Sequence, residues 1–300
     1  MLERADLRNA VGPACYIAQV CAYPLLPAQP CPPAQALARP ADWIVLDARD
    51  ADAFARGHLS GAGRMSAAEF AERRAELPAR EAVVLVVHDD EAQARAAAEA
   101  LTLLHYRAVR WLAAPLAALA AGHADAAPPA LMWRPSAFLA RAAMHLEPGR
   151  ALDLACGSSR EGVHLALCGW RVDAWDHDDI ALERAESFAQ RHGVTLATRK
   201  VDLEAGPVPP GEDWDLVMVF RFLHRPLLAW IAQAVRPGGS LVYETFRAGQ
   251  EVFGHPKHPR FLLQPGELAA AFPLWRVEAA EDTEPAGGPY MSRLWLRRPL

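Results

Sequence analysis

The chain has 300 residues, a formal net charge of −5 and five cysteines, and 52% of it is hydrophobic. That much apolar material excludes wholesale disorder, and the acidic balance excludes a mainly electrostatic nucleic-acid binder. Five scattered cysteines without a CxxC pair exclude a disulfide framework, a zinc ribbon and a thioredoxin-type centre.

The length suits two domains of roughly 150 residues each. Residues 1–34 read as an irregular segment closed by Pro27, Pro30, Pro32 and Pro33. Acids near its start and the lack of a clean apolar core argue against a signal peptide, and free thiols then point to the cytoplasm. The longest apolar run, residues 111–121, is too short to cross a bilayer and carries Pro115.

Residues 35–123 alternate buried strands with helices. Strands are expected at 43–47, 83–87 and 108–112, and helices at 51–56, 69–76 and 91–104. Pro128, Pro129 and Pro135 predict a linker over residues 124–135. The second domain, residues 136–300, opens with a helix at 137–145. Strands follow at 151–155, 171–175, 196–201, 216–220 and 240–244. Helices begin near Arg160 and fill 180–192 and 227–235, the last ended by Pro237-Gly238-Gly239. Two late strands, 275–279 and 292–297, complete the set. Continuous apolar strands between helices predict an α/β fold in both halves: a parallel sheet with helices on both faces, then a doubly wound, Rossmann-like sheet.

The segment Leu152-Asp-Leu-Ala-Cys-Gly157-Ser-Ser-Arg-Glu-Gly162 reads as strand, small-residue turn and helix. Such a turn lets backbone approach a ligand, and the helix start presents free N–H groups. Asp176 ends the next strand, 23 residues after Asp153; an acid there can accept both hydroxyls of a ribose. Asp202 follows the strand after that and is placed to address the amino group of an adenine.

LDLACG at 152–157, WDHDD at 175–179, VDLE at 201–204, WDLVMVFRFLHR at 214–225 and VRPGGSLVYETF at 235–246 together resemble class I S-adenosylmethionine-dependent methyltransferases. The resemblance covers about half the chain. It implies S-adenosyl-L-methionine as cofactor, held by Asp153, Ala155, Gly157, Asp176, His177, Asp202, Leu203 and Phe220. It implies methyl transfer to a small-molecule acceptor, with His224, Arg225 and Glu244 as catalytic candidates. The family loop is often D-x-G-x-G-x-G; Ala155 and Ser159 replace two glycines, which matters only if φ is positive there. The segment GHPKHPRFLLQPGEL at 254–268 resembles tellurite-resistance-type methyltransferases and puts His255, Lys257, His258 and Arg260 in a lid, with Tyr243 also on the acceptor side. A solvated basic loop explains the same residues equally well.

In the first half, Trp43-Ile-Val-Leu-Asp47-Ala-Arg49, Phe54 and Gly57-His58-Leu-Ser-Gly61-Ala62 resemble the rhodanese family. The family carries sulfur on a cysteine after the strand at 83–87. Here the residue is His88, followed by Asp89, Asp90 and Glu91, so the resemblance implies an inactive rhodanese-like module, structural or regulatory, with room for a protein partner.

Other residues carry bland readings. His88-Asp89-Asp90 and His177-Asp178-Asp179 are expected as solvated turns or helix caps and not as metal sites. Cys156, Trp170, Trp175 and Trp214 are expected as packing residues. Two rival functions remain: a sensor that binds the cofactor without turnover, and an active sulfurtransferase using Cys15, Cys21 or Cys31.

Overall fold

The computed structural model describes residues 26–119, 124–125, 127–205, 208, 213–284 and 289–300. Cys15 and Cys21 lie outside the described residues. In chain order the first half contains β1 (Gln29–Cys31), α1 (Pro33–Leu37), β2 (Ile44–Asp47), α2 (Ala51–Ala55), β3 (His58–Leu59), β4 (Gly63–Arg64), β5 (Val83–Val87), α3 (Glu91–Leu103), β6 (Ala108–Leu112) and β7 (Ala124–Asp125). The main sheet has the order β1-β6-β5-β2-β4 and is parallel throughout.

The alternation of side chains along β2 and β5 builds two cores. Leu46, Val84 and Val86 meet Ala97, Ala98 and Leu101 of α3 on one face. Val45, Leu85 and Val87 meet Phe54 and Leu116 on the other. Branched apolar residues on both faces require cover on both, which is why these strands read as unbroken apolar runs. Asp50 and Asp90 cap α2 and α3, each accepting a backbone N–H at 2.7 Å.

Three local features depart from the sequence reading. The segment expected to be irregular through residue 34 holds β1, which lines up parallel to β6. The helix expected over 69–76 is two separate 3-10 turns, Ala67–Glu69 and Arg74–Glu76. The stretch expected as linker contains β7, antiparallel to β3.

The second half contains α4 (Ala137–Ala143), β8 (Arg150–Leu154), α5 (Arg160–Leu167), β9 (Arg171–Asp176), α6 (Asp179–Arg191), β10 (Ala197–Lys200), β11 (Trp214–Phe220), α7 (Leu227–Ala234), β12 (Val235–Phe246), α8 (Glu267–Ala270), β13 (Arg276–Thr283) and β14 (Met291–Arg297). Its seven-stranded sheet has the order β10-β9-β8-β11-β12-β14-β13. The strands from β10 to β12 run parallel, and β14 inserts antiparallel between β12 and β13. β12 reaches back through Pro237-Gly238-Gly239 to Val235, and a register shift against β11 absorbs the extra residues.

The strand order reverses between β8 and β11, so a crevice opens beyond their C-terminal ends. The two halves meet beside it. Ala130 N donates to Ala62 O at 2.9 Å, and Met132 joins the first core. A Cβ on Gly63 would sit 2.3 Å from Met132 Cγ, so only glycine fits there. Trp133 packs on Phe188 and His192 and donates its indole N–H to His192 Nε2 at 2.6 Å. Glu76, 3% exposed, is held by Arg73 from its own half and by Arg191 at the end of α6. Among the described residues no helix is long and apolar enough to cross a membrane.

Candidate functional site

The crevice is lined first by the turn after β8. Ala155, Gly157 and Ser159 have φ of +53°, +54° and +49°, so three left-handed residues fall within five. This zigzag folds the turn back tightly enough for Cys156 N to donate to Trp175 O at 3.0 Å. It also sends Gly157 N to Asp176 Oδ2 at 2.8 Å. Open space surrounds the position a Cβ on Gly157 would take. The two glycines absent from the sequence pattern are therefore replaced at positions where L-residues are strained, at roughly 1–2 kcal/mol each.

Asp153 lies beneath this turn, 2% exposed, and accepts Ser159 Oγ at 2.7 Å. Burial pushes its carboxyl up to about 8; the Ser159 hydrogen bond opposes the shift, and Glu161 and Asp176 reinforce it. Asp176, 7% exposed, accepts Gly157 N on one oxygen and Asp178 N on the other at 3.0 Å. His177 Nδ1 stands 3.2 Å from the second oxygen. A carboxylate has about four acceptor sites, so Asp176 keeps capacity for two hydroxyl donors. Asp178 caps α6 through Ile180 N at 2.9 Å, as expected of that triplet.

Asp202 is exposed beyond β10, and its carboxylate takes Glu204 N and Ala205 N at 2.9 and 3.0 Å. Those two bonds hold it below the usual carboxylate range. Leu203 is buried in the sheet's core, and Phe220 half-buried at the end of β11. Cys156 is a part-buried thiol, pushed well up by burial and then by Asp153 and Asp176. Trp170, Trp175 and Trp214 are 5% exposed or less and belong to the cores.

A cavity of about 320 Å³ opens beyond β11, lined by Glu204, Leu223, His224, Arg225, Pro226, Arg260 and Phe261. It gathers three of the residues singled out by the sequence. Arg225 is fixed there by Glu267 at 2.5 Å and by the carbonyls of Arg260 and Leu262. Arg260 lies over the Phe261 ring at 4.3 Å. His255, Lys257 and His258 are exposed and do not line the cavity; His258 Nδ1 accepts Arg260 N at 3.1 Å.

Glu244 and Tyr243 are inside the protein. Glu244, 6% exposed, receives Ser136 Oγ at 2.7 Å and Arg293 Nε at 2.8 Å on the same oxygen. Tyr243 donates its hydroxyl to Phe222 O at 3.0 Å. Ser136 was not singled out by sequence. It caps α4 and ties that helix to β12, while its N–H reaches Glu161. A serine after Pro135 signals the cap, but nothing in the sequence links it to a carboxylate 108 residues away.

In the first half, His88 follows β5 and accepts Asp90 N on Nδ1 at 3.0 Å. Arg49 forms a buried pair with Asp47 at 2.7 Å and reaches Asp89 at 3.2 Å. Cys31 is fully buried on β1, and burial pushes its thiol up. Among the described residues no cluster of three or more His, Cys, Asp or Glu could hold a metal ion.

Comparison with known proteins agrees with this division. The family described as "Tellurite resistance protein TehB" matches residues 136–245, and the family "Rhodanese-like domain" matches residues 33–118. The chain joins a rhodanese-like domain to a TehB-like domain. A "Probable S-adenosyl-L-methionine-dependent methyltransferase TehB" from Haemophilus influenzae strain 10810 is 30% identical over 87 residues, 28% of this chain and 30% of that protein. The chain thus spans under a third of the TehB relative it matches. "Hemagglutinin 1" of Eikenella corrodens is 27% identical over 144 residues, 45% of this chain and 46% of that one. Among solved structures, TehB from Haemophilus influenzae aligns with a TM-score of 0.46 at 19% identity, covering 53% of this chain and 61% of its own. A TehB-like protein from Corynebacterium glutamicum aligns with a TM-score of 0.42 at 21% identity, covering 55% and 89%. The turn from Ala155 to Ser159, Asp153, Asp176 and His224 all lie in the stretch matched to TehB, while residues 255–260, expected from the sequence as a lid, lie beyond it.

Proposed function

We propose that the TehB-like domain transfers the methyl group of S-adenosyl-L-methionine to a small-molecule acceptor. The observation that carries this reading is the Asp176 carboxylate, fixed by Gly157 N–H with acceptor capacity to spare, beside a left-handed turn that leaves open space over Gly157. A ribose fits that carboxylate, and an amino-acid moiety fits the turn above Asp153. Asp202 is exposed where an adenine edge would end.

The donor supplies a methyl already activated on a sulfonium. The chain's own residues therefore have to hold two reactants in line and exclude water, which is the larger part of such catalysis. Asp176 and the Gly157 backbone fix the donor end. Beyond β11, His224 lines the cavity with Arg225 and Arg260 and stands within reach of a bound acceptor. It acts as base where the acceptor atom carries a proton. Glu244 and Arg225 are committed to Arg293 and Glu267, so their role in this reading is to hold the walls. His255, Lys257 and His258 stay with the solvated reading of that loop.

The rhodanese-like domain acts as a structural or regulatory module without sulfur transfer: His88 occupies the strand exit, and the buried Cys31 thiol is held protonated. Free thiols at Cys31, Cys156 and Cys168 support a reducing, cytoplasmic setting. A second reading, binding without turnover, draws on the commitment of Glu244 and Arg225 to ion pairs; multiple turnover on any acceptor removes it. Calorimetry with S-adenosylhomocysteine tests the donor site. The intact protein binds it, and Asp176→Ala lowers affinity by about 100-fold through loss of charge-assisted hydrogen bonds. Equal binding by the variant would overturn the assignment.

A further inference from the structure

α6 ends at His192, which lies beside Trp133 of the segment joining the two domains. The indole N–H of Trp133 meets His192 Nε2 at 2.6 Å. The ring centroids are 5.3 Å apart and the planes 22° from parallel, so with the nitrogens this close the rings meet edge to edge. Phe188 stands across both, 4.9 Å from each ring and inclined at 75° and 70°. Val163, Ala189, Val194 and Ala75 pack around the group, Ala75 coming from the rhodanese-like half. An indole nitrogen can only donate. His192 Nε2 therefore offers a lone pair, and the imidazole is neutral with its proton on Nδ1.

The charges around the imidazole do not welcome a second proton. Glu76 faces it from the rhodanese-like half, but its two oxygens take Arg73 at 3.0 and 2.6 Å, and one of them also takes Arg191 at 2.8 Å. Arg73 and Arg191 oppose a further cation. Arg134, beside Trp133, donates to the carbonyls of Leu131 and Trp133. Burial holds the imidazole below its ordinary value of 6.5; Glu76 and the Arg191 backbone oppose that shift, and the Arg191 and Arg73 charges add to it. An imidazolium here sets two N–H donors against each other, and it meets the positive rim of the indole and not its negative face. The contribution of the neutral ring is complete above the ordinary value and is lost as pH falls from there.

We propose that Trp133 and His192 form a pH-sensitive latch between the two domains, closed while the imidazole is neutral and released when Nε2 takes a proton. The latch rests on the junction alone and stands apart from the methyl-transfer reading. It secures more than its own two rings. Ala130, three residues before Trp133, donates to Ala62 O at 2.9 Å, and Arg160 at the start of α5 donates to Leu77 O at 3.4 Å. Leu77 follows Glu76, and α5 leaves the turn at the crevice, so release loosens the rhodanese-like half where it adjoins the crevice. Mildly acidic pH is then read at the junction, with no change in the groups that line the crevice.

The test is nitrogen-15 NMR of the full-length protein between pH 7.5 and pH 5. The readout is local because Asp153 also titrates in the fold. The Trp133 indole signal, assigned by its loss in Trp133→Phe, shifts in one step with a midpoint below 6.5. Amide exchange at Ala130, corrected for its intrinsic pH dependence, speeds up about tenfold across that step, the worth of one unit of displaced titration. His192→Gln offers a side-chain oxygen to the same indole and carries no titrating group, so its Ala130 exchange stays slow throughout. Trp133→Phe keeps a ring and removes the donor, so its Ala130 exchange is fast at both ends and shows no step. An indole signal that does not move, an indole step without a change at Ala130, or an Ala130 step that survives in either variant overturns the proposal.

Discussion

Ser159 isolates the strain of the turn in a single comparison. It is fully buried with φ of +49° and ψ of +48°, and it donates Oγ to Asp153 at 2.7 Å. Ser159→Ala and Ser159→Gly both remove that hydrogen bond to a buried carboxyl, each costing about 1–3 kcal/mol. They differ in the Cβ. Alanine keeps the left-handed penalty of roughly 1–2 kcal/mol, while glycine escapes it and gives back about 0.4–1 kcal/mol of unfolded-chain entropy. Glycine is therefore expected to be the more stable of the two by about 0.5–1 kcal/mol, the reverse of their order at an ordinary helical position. Urea unfolding reads the difference as a shift in midpoint at constant slope. An alanine variant as stable as the glycine variant, or more so, would refute the claim that the turn is strained at this residue.

Asp153 makes stability depend on pH. Its carboxyl is raised to about 8 in the fold against an ordinary value of 3.8, so the folded chain holds a proton that the unfolded chain has lost. The contribution is full below the ordinary value and disappears as pH rises through about 8, at up to about 1.4 kcal/mol per pH unit. Asp153→Asn should flatten this dependence between pH 5 and 8; an unchanged slope in unfolding experiments would sink the assignment. Glu76→Ala leaves Arg73 and Arg191 facing each other at the domain junction, with a loss of about 2–4 kcal/mol after allowing for their partial exposure. Its calorimetric trace should split into two transitions, and a single unshifted one would argue that the ion triad does not join the domains. Gly162→Ala places a methyl 2.1 Å from Ser159 Oγ and costs about 1–3 kcal/mol. In the background of Ser159→Gly that cost should shrink, so additive losses would show the clash lies elsewhere.

The strands were legible because burial on both faces writes itself as unbroken apolar runs, as in Val83–Val87 and, within β11, Leu216–Phe220. The turn after β8 was legible in outline from LDLACG and Asp176, both local to their strand ends. Its conformation was not, since glycine is the usual mark of positive φ and Ala155 and Ser159 adopt it without being glycine. The short strands β1 and β7 escaped notice because prolines surround them and pairing with β6 and β3 decides their state. Ion pairs between distant residues leave no local trace. Glu76 and Arg191 stand 115 positions apart, and Glu244 with Arg293 reads in sequence as two ordinary charges. The basic run from His255 to Arg260 overstated its case, because spacing along a loop does not say which side chains turn inward, and only Arg260 lines the cavity.

The position of β14 has a consequence for the order of assembly. It follows β13 in the chain yet separates β13 from β12 in the sheet. While a ribosome has released Arg276–Thr283 but not Met291–Arg297, the edge of β12 over Ser240–Phe246 and that of β13 over Arg276–Thr283 are both free. Such edges invite pairing with neighbouring chains. Closing this half of the protein is thus a matter of threading a strand into a gap, and the nascent chain is at its most sticky just before it is finished there.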